Sequence, residues 1–319
     1  MYFENISALV RVLQNQHDLK GEVICGFKVS SARKKLWALE LDMLSFLEST
    51  CLKNNLDYFL LFGSAIGAVR HKGFIPWDDD IDIGMLRKDF EVFLKCDKSD
   101  WPDYIEVQYG LSDDRVDPLL RIRDKRTTGI LNDERKHPRN KGVFIEIYPF
   151  DYVKNNTLRK VQLKASSFLL RSMDIFYLDN KELKGKRKLQ KILVKVFGIK
   201  SFWNLYRWVC MLQSKSKDQY VDTITLPNYA ISGNHLFLSE DVQESIFCDF
   251  EYTKVRIPKG YDRCLTTRYG NYMELPPIEQ RGTHHNFAVF YDPYKSYEEY
   301  ENSEILEKYF QGDLSLEIL

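Results

Sequence analysis

The sequence lacks an excess of charge of either sign, a long apolar run and any pair of closely spaced cysteines. Its 319 residues include 46 Lys and Arg and 46 Asp and Glu, so the formal net charge is zero. Proteins dedicated to nucleic acid usually carry a basic excess, so we do not expect nucleic acid as a partner. The six cysteines contain no C-x-x-C pair, which argues against a zinc ribbon or a dense disulfide framework.

The chain also lacks the usual signals for export. The start, Met1-Tyr2-Phe3-Glu4, has no basic segment followed by an apolar one, so we predict no signal peptide. No apolar run approaches the ~18–20 residues that span a bilayer. With scattered, free thiols, these features predict a cytoplasmic protein.

Apolar periodicity predicts a chain that mixes helices and strands. Spacings of three and four residues indicate helices, and alternation of apolar and polar residues indicates strands. The first helix should begin at Ser31, with Ser30 or Ser31 as its N-cap. The other predicted helices are 65–70, 87–95, 157–176 and 186–213, and the predicted strands are 58–62, 80–83, 105–109, 119–122 and 143–148, the last of them ended by Pro149.

A run of acidic residues carries the strongest chemical signal. Asp80 and Asp82 alternate with Ile81 and Ile83, so on a strand both carboxylates project from one face. Two adjacent carboxylates repel each other unless a cation lies between them. Hard oxygen ligands of this kind suit Mg²⁺, which retains waters and substrate phosphates in its shell. The alternative is a solvated acidic turn, but the alternation places Asp82 in a buried strand, where an unpaired charge is costly.

Nearby residues could complete a site for phosphoryl transfer. The Gly63-Ser64 turn offers backbone N–H groups and a hydroxyl to a phosphate. A third carboxylate normally completes such a site, and Glu146 is the first candidate because it lies within an alternating strand. Asp151, just after Pro149, is the second.

Three motifs closely resemble the signatures of the LicD family, which includes fukutin and fukutin-related protein, and the resemblance spans roughly residues 35–290. They are Leu61 to Ile83, which contains Phe62-Gly63-Ser64 and Trp77-Asp78-Asp79-Asp80-Ile81-Asp82-Ile83; Gly142 to Asp151; and Tyr269 to Pro277, followed by Arg281 and His284-His285. Where the family pattern leads us to expect an aspartate in the second motif, this chain has Glu146.

The resemblance implies an α+β fold, with a nucleotidyltransferase-like mixed sheet flanked by helices and a more helical C-terminal half. We divide the chain into an N-terminal embellishment (1–30), a catalytic core (31–155) and a mostly helical region that completes the site (156–319), which could be one interwoven domain with the core. The implied metal ligands are Asp80, Asp82 and Glu146, holding Mg²⁺ or Mn²⁺.

The implied activity is that of a LicD-type phosphotransferase. It would move phosphocholine, or a related polyol phosphate, from a CDP-linked donor to a glycan or lipid-linked glycan acceptor of capsule, lipopolysaccharide or teichoic acid, releasing CMP. Two alternatives remain: a nucleotidyltransferase that attaches NMP to a small molecule or protein, and a catalytically silent scaffold in glycan assembly. Intact Asp80 and Asp82 argue against the scaffold.

Further candidates surround the acidic strand. His284 and His285 could act as general base on the acceptor hydroxyl or bind a phosphate, and Asp78 or Asp79 is a competing base. Arg70 could hold the donor diphosphate, because a guanidinium suits bidentate phosphate contact, although a cation at a helix end is an equal alternative. The remaining predicted substrate-binding residues are His71, Asp78, Asp79, Arg121, Asp151 and Arg281.

Residues 184–217 form a basic amphipathic segment. They hold ten Lys or Arg and no acidic residue, interleaved with aliphatic and aromatic side chains. Such a segment can lie on an anionic membrane surface, here the inner face of the plasma membrane. The alternative, which the sequence favours somewhat, is that the aromatics pack on the catalytic half and the lysines are merely solvated.

Overall fold

The computed structural model describes most of the chain, beginning with an N-terminal hairpin of β1 (Glu22–Ile24) and β2 (Phe27–Val29). The described residues are 19–112, 115–135, 137–178, 183–213, 219–227, 230, 236–281, 289–301 and 303–312. No helix in these ranges is both long and apolar enough to cross a membrane.

A seven-stranded sheet forms the centre of the fold. Its strands are β3 (Phe59–Leu60), β4 (Asp82–Leu86), β5 (Ile105–Leu111), β6 (Val116–Asp124), β8 (Val143–Val153), β9 (Tyr220–Asp222) and β10 (Phe237–Leu238). The order is β10-β9-β8-β4-β3, and β6 pairs with the first half of β8 and with β5. β4 and β8 run parallel, whereas the other described pairs are antiparallel. The sheet is therefore mixed, and the predicted fold class is confirmed.

Two smaller sheets and a set of helices surround the central sheet. β7 (Thr128–Leu131) pairs with β13 (Val289–Asp292), and β11 (Ser245–Phe250) pairs with β12 (Thr253–Pro258). The α-helices are α1 (Ser31–Asn54), α2 (Phe62–Ile66), α3 (Arg87–Phe93), α4 (Thr157–Tyr177), α5 (Lys186–Phe197), α6 (Ile199–Cys210), α7 (Ser239–Val242), α8 (Tyr261–Tyr269) and α9 (Glu304–Phe310). A π-helical turn spans Gly67–His71, and short 3-10 turns span Asn132–Glu134, Ile278–Gln280 and Tyr297–Tyr300.

α1 is the long helix that supports the sheet. It begins at Ser31, and Ser30 is its N-cap, with the Oγ accepting from the N–H of Arg33 at 3.0 Å. The helix ends at Asn55, which takes the left-handed conformation with φ of 52°. Apolar side chains such as Leu36 and Leu47 are fully buried in the main core, which also contains β4 and β8. The predicted start of this helix is confirmed.

β8 continues beyond the point where the sequence predicts its end. It runs to Val153 and includes Pro149, so the prediction that Pro149 ends the strand is wrong. Pairing with β6 stops at Ile147, and pairing with β9 begins at Asp151. Pro149 lies between these two antiparallel partners, where its missing N–H removes no bond to either of them.

The predicted helix over 186–213 is two helices. α5 ends at Phe197 and α6 begins at Ile199, because Gly198 between them has a φ of +82°. A residue in this conformation cannot continue a right-handed helix, and glycine adopts it at little cost. The sequence contains the glycine, but its local pattern does not reveal the turn.

The division of the chain at residue 155 stays a prediction. β9 and β10 lie after this point and extend the central sheet by pairing with the end of β8. Both sides of the boundary thus contribute to one sheet. Residues 1–18 of the predicted N-terminal embellishment lie outside the described residues.

Candidate active site

The hydroxyl of a serine in α2 fixes the backbone of the aspartate segment. Ser64 Oγ accepts from the N–H of Asp82 at 2.9 Å and donates to the carbonyl of Asp80 at 3.5 Å. Gly63 lies against Asp78, so closely that a Cβ on this glycine would come within 2.5 Å of Asp78 Oδ2. The N-terminal part of α2 therefore positions the aspartates. Contact of Gly63 or Ser64 with a phosphate stays a prediction.

The strand that carries the acids begins later than the alternation predicts. β4 starts at Asp82, and Asp80 belongs to the segment that approaches it. The reason is that the carbonyl of Asp80 is bonded by the Ser64 side chain, whereas the carbonyl of Asp82 accepts from the N–H of Leu61 at 2.8 Å. Asp80 and Asp82 nevertheless line the same cleft.

Three consecutive carboxylates form a tight cluster. Asp78, Asp79 and Asp80 each offer an oxygen, and these oxygens lie within 4.8 Å of one another. Asp78 and Asp79 are buried, and Asp80 is half-buried. This is a set of hard oxygen donors of the kind that binds Mg²⁺ or Mn²⁺. The sequence predicts Asp78 and Asp79 as substrate-binding residues, and the structure brings them together with the predicted ligand Asp80.

The acids raise one another's pKa. The pKa of Asp80 lies well above its ordinary value, first because of burial and then because of the charge on Asp82. The pKa of Asp82 is also raised well above its ordinary value, by burial and then by Glu146. A cation bound among these groups would reverse this preference for the neutral forms.

Glu146 lies beside Asp82 but has its own partners. The two residues are in register on β8 and β4. Arg121 Nε donates to Glu146 Oε1 at 2.7 Å, and the hydroxyl of Tyr148 donates to Oε2 at 2.9 Å. Arg121, predicted to bind the donor, also donates to the buried Glu134 at 3.1 Å. The metal-ligand role of Glu146 and the donor-binding role of Arg121 stay predictions.

Asp151, the second candidate for the third carboxylate, lies apart from this cluster. It is fully buried, and Arg87 holds both of its oxygens, at 2.9 and 2.8 Å. Arg87 also donates to Thr225. Asp151 is five residues beyond Glu146 on β8, so the two side chains point to opposite faces of the sheet. The surroundings of Asp151 indicate a structural ion pair.

Arginines attach the third motif to the cleft. Arg70 Nη1 donates to the carbonyls of Tyr272 and Glu274 at 2.6 and 2.8 Å. Arg281 donates to the carbonyl of Pro276 at 2.9 Å, and its guanidinium lies 5.0 Å from the ring centroid of Trp77. Both predicted substrate-binding arginines therefore hold the loop that follows α8 against the aspartate segment.

His71 follows Arg70 in the π-helical turn. Its ring meets Trp77 edge-on at 6.1 Å. Burial, followed by the charges of Arg70 and Arg281, lowers the pKa of His71 to about 4. The imidazole is therefore neutral at pH 7. His71 is not among the residues that line the cleft, and its substrate-binding role stays a prediction.

These elements enclose a cleft of about 580 Å³. Its floor contains Asp78, Asp80 and Asp82; its lining also includes Phe62, Gly63, Ile66, Arg70, Ile75, Trp77, Arg268, Tyr269, Asn271, Tyr272, Glu274, Leu275, Pro276 and Pro277. The first motif (61–83) and the third (269–277) are almost two hundred residues apart in sequence, yet they form one concave surface. His284 and His285 lie outside the described residues.

Sequence reasoning missed two charged residues near the acids. Arg268, on α8, lines the cleft and lies 4.1 Å from the ring centroid of Phe62. Glu40, on α1, has no exposed surface, and within the described ranges neither of its oxygens has a hydrogen-bond partner. Burial, then Asp79, raises the pKa of Glu40 well above its ordinary value. An acidic residue within the apolar pattern of α1 was the available signal.

Comparison with known proteins agrees with the motif analysis. A family model described as the LicD/FKTN/FKRP nucleotidyltransferase domain matches residues 55–187. The lipopolysaccharide cholinephosphotransferase LicD of Haemophilus influenzae is 28% identical over 258 residues, covering 77% of this chain and 92% of that protein. An uncharacterized protein of Rickettsia prowazekii is 28% identical over 170 residues, covering 45% of this chain and 62% of the relative. One of Rickettsia typhi is 29% identical over 106 residues, covering 33% and 32%.

The matched domain includes both β4 and the Glu146 half of β8. The Haemophilus relative extends the similarity over most of the chain, consistent with a cleft that takes one wall from α8 and the loop after it. Residues 55–187 therefore match the nucleotidyltransferase domain of the LicD family, and similarity to the Haemophilus LicD protein extends over most of the chain.

Proposed function

We propose that this protein transfers phosphocholine, or a related alcohol phosphate, from a CDP-linked donor to a sugar hydroxyl of a cell-surface glycan precursor, with release of CMP. Similarity to the Haemophilus lipopolysaccharide cholinephosphotransferase supports transfer of phosphocholine in lipopolysaccharide synthesis. The family description supports a nucleotide-handling domain. Because the donor is a nucleotide, we place the reaction in the cytoplasm.

The observation that carries the proposal is a cleft with an acidic floor. Asp78, Asp79 and Asp80 offer oxygens within 4.8 Å of one another, with Asp82 beside them. Burial, followed by the charges of Asp82 and Asp78, already raises the pKa of Asp80, so the site gains from added positive charge. The donor set therefore fits Mg²⁺ or Mn²⁺. When bound, such an ion supplies positive charge to the phosphate oxygens.

The described arginines could hold the donor's phosphates. Arg70 and Arg268 both line the cleft, on the wall formed by the π-helical turn and α8. A guanidinium binds phosphate oxygens in a planar, two-pronged contact. Trp77 and Tyr269 line the same cleft and could stack on the base or contact the transferred group.

The reaction we propose is an in-line displacement at phosphorus. The sugar oxygen forms a bond to the β-phosphorus of the donor, and the bond from that phosphorus to the bridging oxygen of CMP breaks. CMP leaves with the electron pair, and the hydroxyl proton passes to a base on the protein. Asp78, which lines the cleft, and Asp79 next to it are the base candidates among the described residues, and His284 and His285 stay alternatives.

A second candidate function is transfer of the nucleotide itself. The description of the matched family as a nucleotidyltransferase domain favours it specifically. In that case a nucleoside triphosphate would be attacked at its α-phosphorus, and pyrophosphate would leave. The leaving group distinguishes the two reactions, whereas a silent scaffold would form neither product.

The test is a product analysis. The purified protein is incubated with Mg²⁺ or Mn²⁺, a panel of CDP-linked alcohols or CTP, and glycan acceptors, and CMP and pyrophosphate are quantified by anion-exchange chromatography. We expect acceptor-dependent CMP release with one CDP-linked compound and none with the Asp82→Ala variant. Pyrophosphate release from CTP would select the second function, and no product under any condition would favour the scaffold.

A further inference from the structure

A short helix on the surface presents apolar side chains to solvent. α5 buries one of its twelve residues, Val194. Leu189, Ile192 and Val196 are exposed, and their spacing of three and four residues places them on one face. Val196 is 71% exposed, and Phe197 next to it is 64% exposed. Burying these side chains in an apolar phase would be favourable.

The same helix is strongly basic. From Lys184 to Phe197 the chain has six Lys or Arg and no acidic residue, although the whole protein is neutral. Lys186, Lys188 and Lys195 are exposed, and none forms an ion pair with a residue in the described part of the chain.

The positions of these charges lower the stability of the isolated helix. Its first turn contains basic residues and no acid. Its N-cap is Gly185, which has no side chain to cap the first turn. Cations near a helix N-terminus oppose the helix dipole. This arrangement weakens the isolated helix, so helix stability does not explain the cluster of charge.

α6 continues the pattern beyond Gly198. Its inner face buries Trp203, Tyr206 and Val209, which fasten the helix to the protein. Leu205 and Trp208, three residues apart, remain exposed. Tryptophan and lysine are typical of the membrane–water interface, since each combines an apolar body with a polar end.

We infer that α5 and α6 dock on the surface of a bilayer that contains anionic lipids. An amphipathic helix with a basic flank lies in the plane of such a surface, with its apolar face among the lipid headgroups and upper acyl chains. A second copy of the chain fits less well, because a symmetric contact would bring two basic helices together. The inference goes beyond the proposed function and does not depend on it.

The test measures binding of the whole protein to vesicles. Wild-type protein should sediment with vesicles of 70% phosphatidylcholine and 30% phosphatidylglycerol at 50 mM salt, and much less with pure phosphatidylcholine. Each lysine near an anionic surface contributes about a five-fold factor in affinity, so the triple variant Lys186→Gln, Lys188→Gln, Lys195→Gln should bind about 100-fold more weakly. Val196→Ser with Phe197→Ser should weaken binding at least about ten-fold.

The matched control removes three exposed lysines elsewhere. Lys53, Lys254 and Lys259 pair with surface acids, and replacing all three with Gln makes the same change in net charge. This control should bind vesicles as wild type does. Because every substituted side chain is largely exposed, circular dichroism and Tm should stay unchanged for all variants.

Several results would overturn the inference. Failure of the wild-type protein to bind anionic vesicles would refute docking. Normal vesicle binding by the α5 variants would also refute it, as would a control variant that binds as weakly as the triple variant. Sedimentation velocity tests whether a second copy of the chain covers this face instead. If wild-type protein is a dimer and the α5 variants are monomers, the face belongs to a second copy. CMP release with soluble donor and acceptor is measured separately, so failure of docking and failure of the proposed function are distinguishable.

Discussion

Replacing Asp80 with Asn should stabilise the metal-free protein while abolishing turnover. Two unit charges at the upper limit of 4.8 Å for these oxygens repel by about 3.5 kcal/mol at an effective dielectric constant of about 20. The raised pKa of Asp80 already relieves part of this repulsion, so we expect a gain of about 1–3 kcal/mol in the free energy of unfolding. For 319 residues this corresponds to a rise of roughly 2–5 °C in Tm.

The pH dependence of this gain has a defined sign. Folding raises the pKa of Asp80 above its ordinary value of 3.8, so the folded state favours the protonated form. The associated stability is present below the unfolded pKa and is lost as pH rises through the folded pKa. In buffer with EDTA, the advantage of the Asn variant over wild type should therefore grow as pH rises above 3.8 towards the folded-state pKa.

Divalent ions should reverse the order of stability. An ion that binds the folded state at 100 times its Kd adds about 2.7 kcal/mol, or roughly 4 °C for a chain of 319 residues. Wild type should gain this in Mn²⁺ or Mg²⁺, and the Asn variant should gain little. The control Asp103→Asn removes one exposed charge and should leave both Tm values and turnover unchanged. The metal assignment would be refuted if the Asp80→Asn protein had a lower Tm than wild type in EDTA. It would also be refuted if this variant kept the metal-dependent rise in Tm, or retained turnover within a few-fold of wild type.

Three further substitutions separate positioning from chemistry. Ser64→Ala removes the acceptor for the N–H of Asp82 and should cost about 1–3 kcal/mol in thermal unfolding, with at least a ten-fold loss in initial rate. Asp151→Asn breaks the buried pair with Arg87 and should cost about 3–5 kcal/mol, while folded protein keeps kcat within a few-fold; loss of kcat in folded protein would instead favour Asp151 as the third carboxylate. Arg70→Lys cannot make the same planar contacts, and steady-state kinetics should show a raised KM for the donor with little change in kcat.

Local chemistry explains which parts of the fold could be predicted. Ser30 caps α1 through a bond to a residue three positions away, and such short-range signals are readable in a sequence. The alternation around Asp82 likewise identified a strand with one polar edge. Both features depend on neighbours along the chain, so no knowledge of the tertiary structure was needed.

The features that the sequence did not predict depend on contacts between distant parts of the chain. Pro149 is tolerated within β8 because neither β6 nor β9 pairs with it, and that pairing is not visible in the local pattern. Arg70 contacts carbonyls more than 200 residues away, so the local sequence could not show that it holds the third motif, and its donor-binding role stays a prediction. Glu40 interrupts the apolar pattern of α1, but only the packing of that helix brings it close to the aspartate segment.

The contrast between buried acids within this one molecule argues for a functional cleft. Away from the cleft, two buried carboxylates have arginine partners: Asp151 with Arg87 at 2.8 Å, and Glu134 with Arg123 at 2.7 Å. Beneath and within the cleft, Glu40 and Asp80 form no ion pair with any residue in the described ranges. The chain can pair its buried acids, yet it leaves negative charge concentrated here at a cost in folding free energy. A bound cation would balance this charge, which supports the proposed metal-dependent transfer over a silent scaffold.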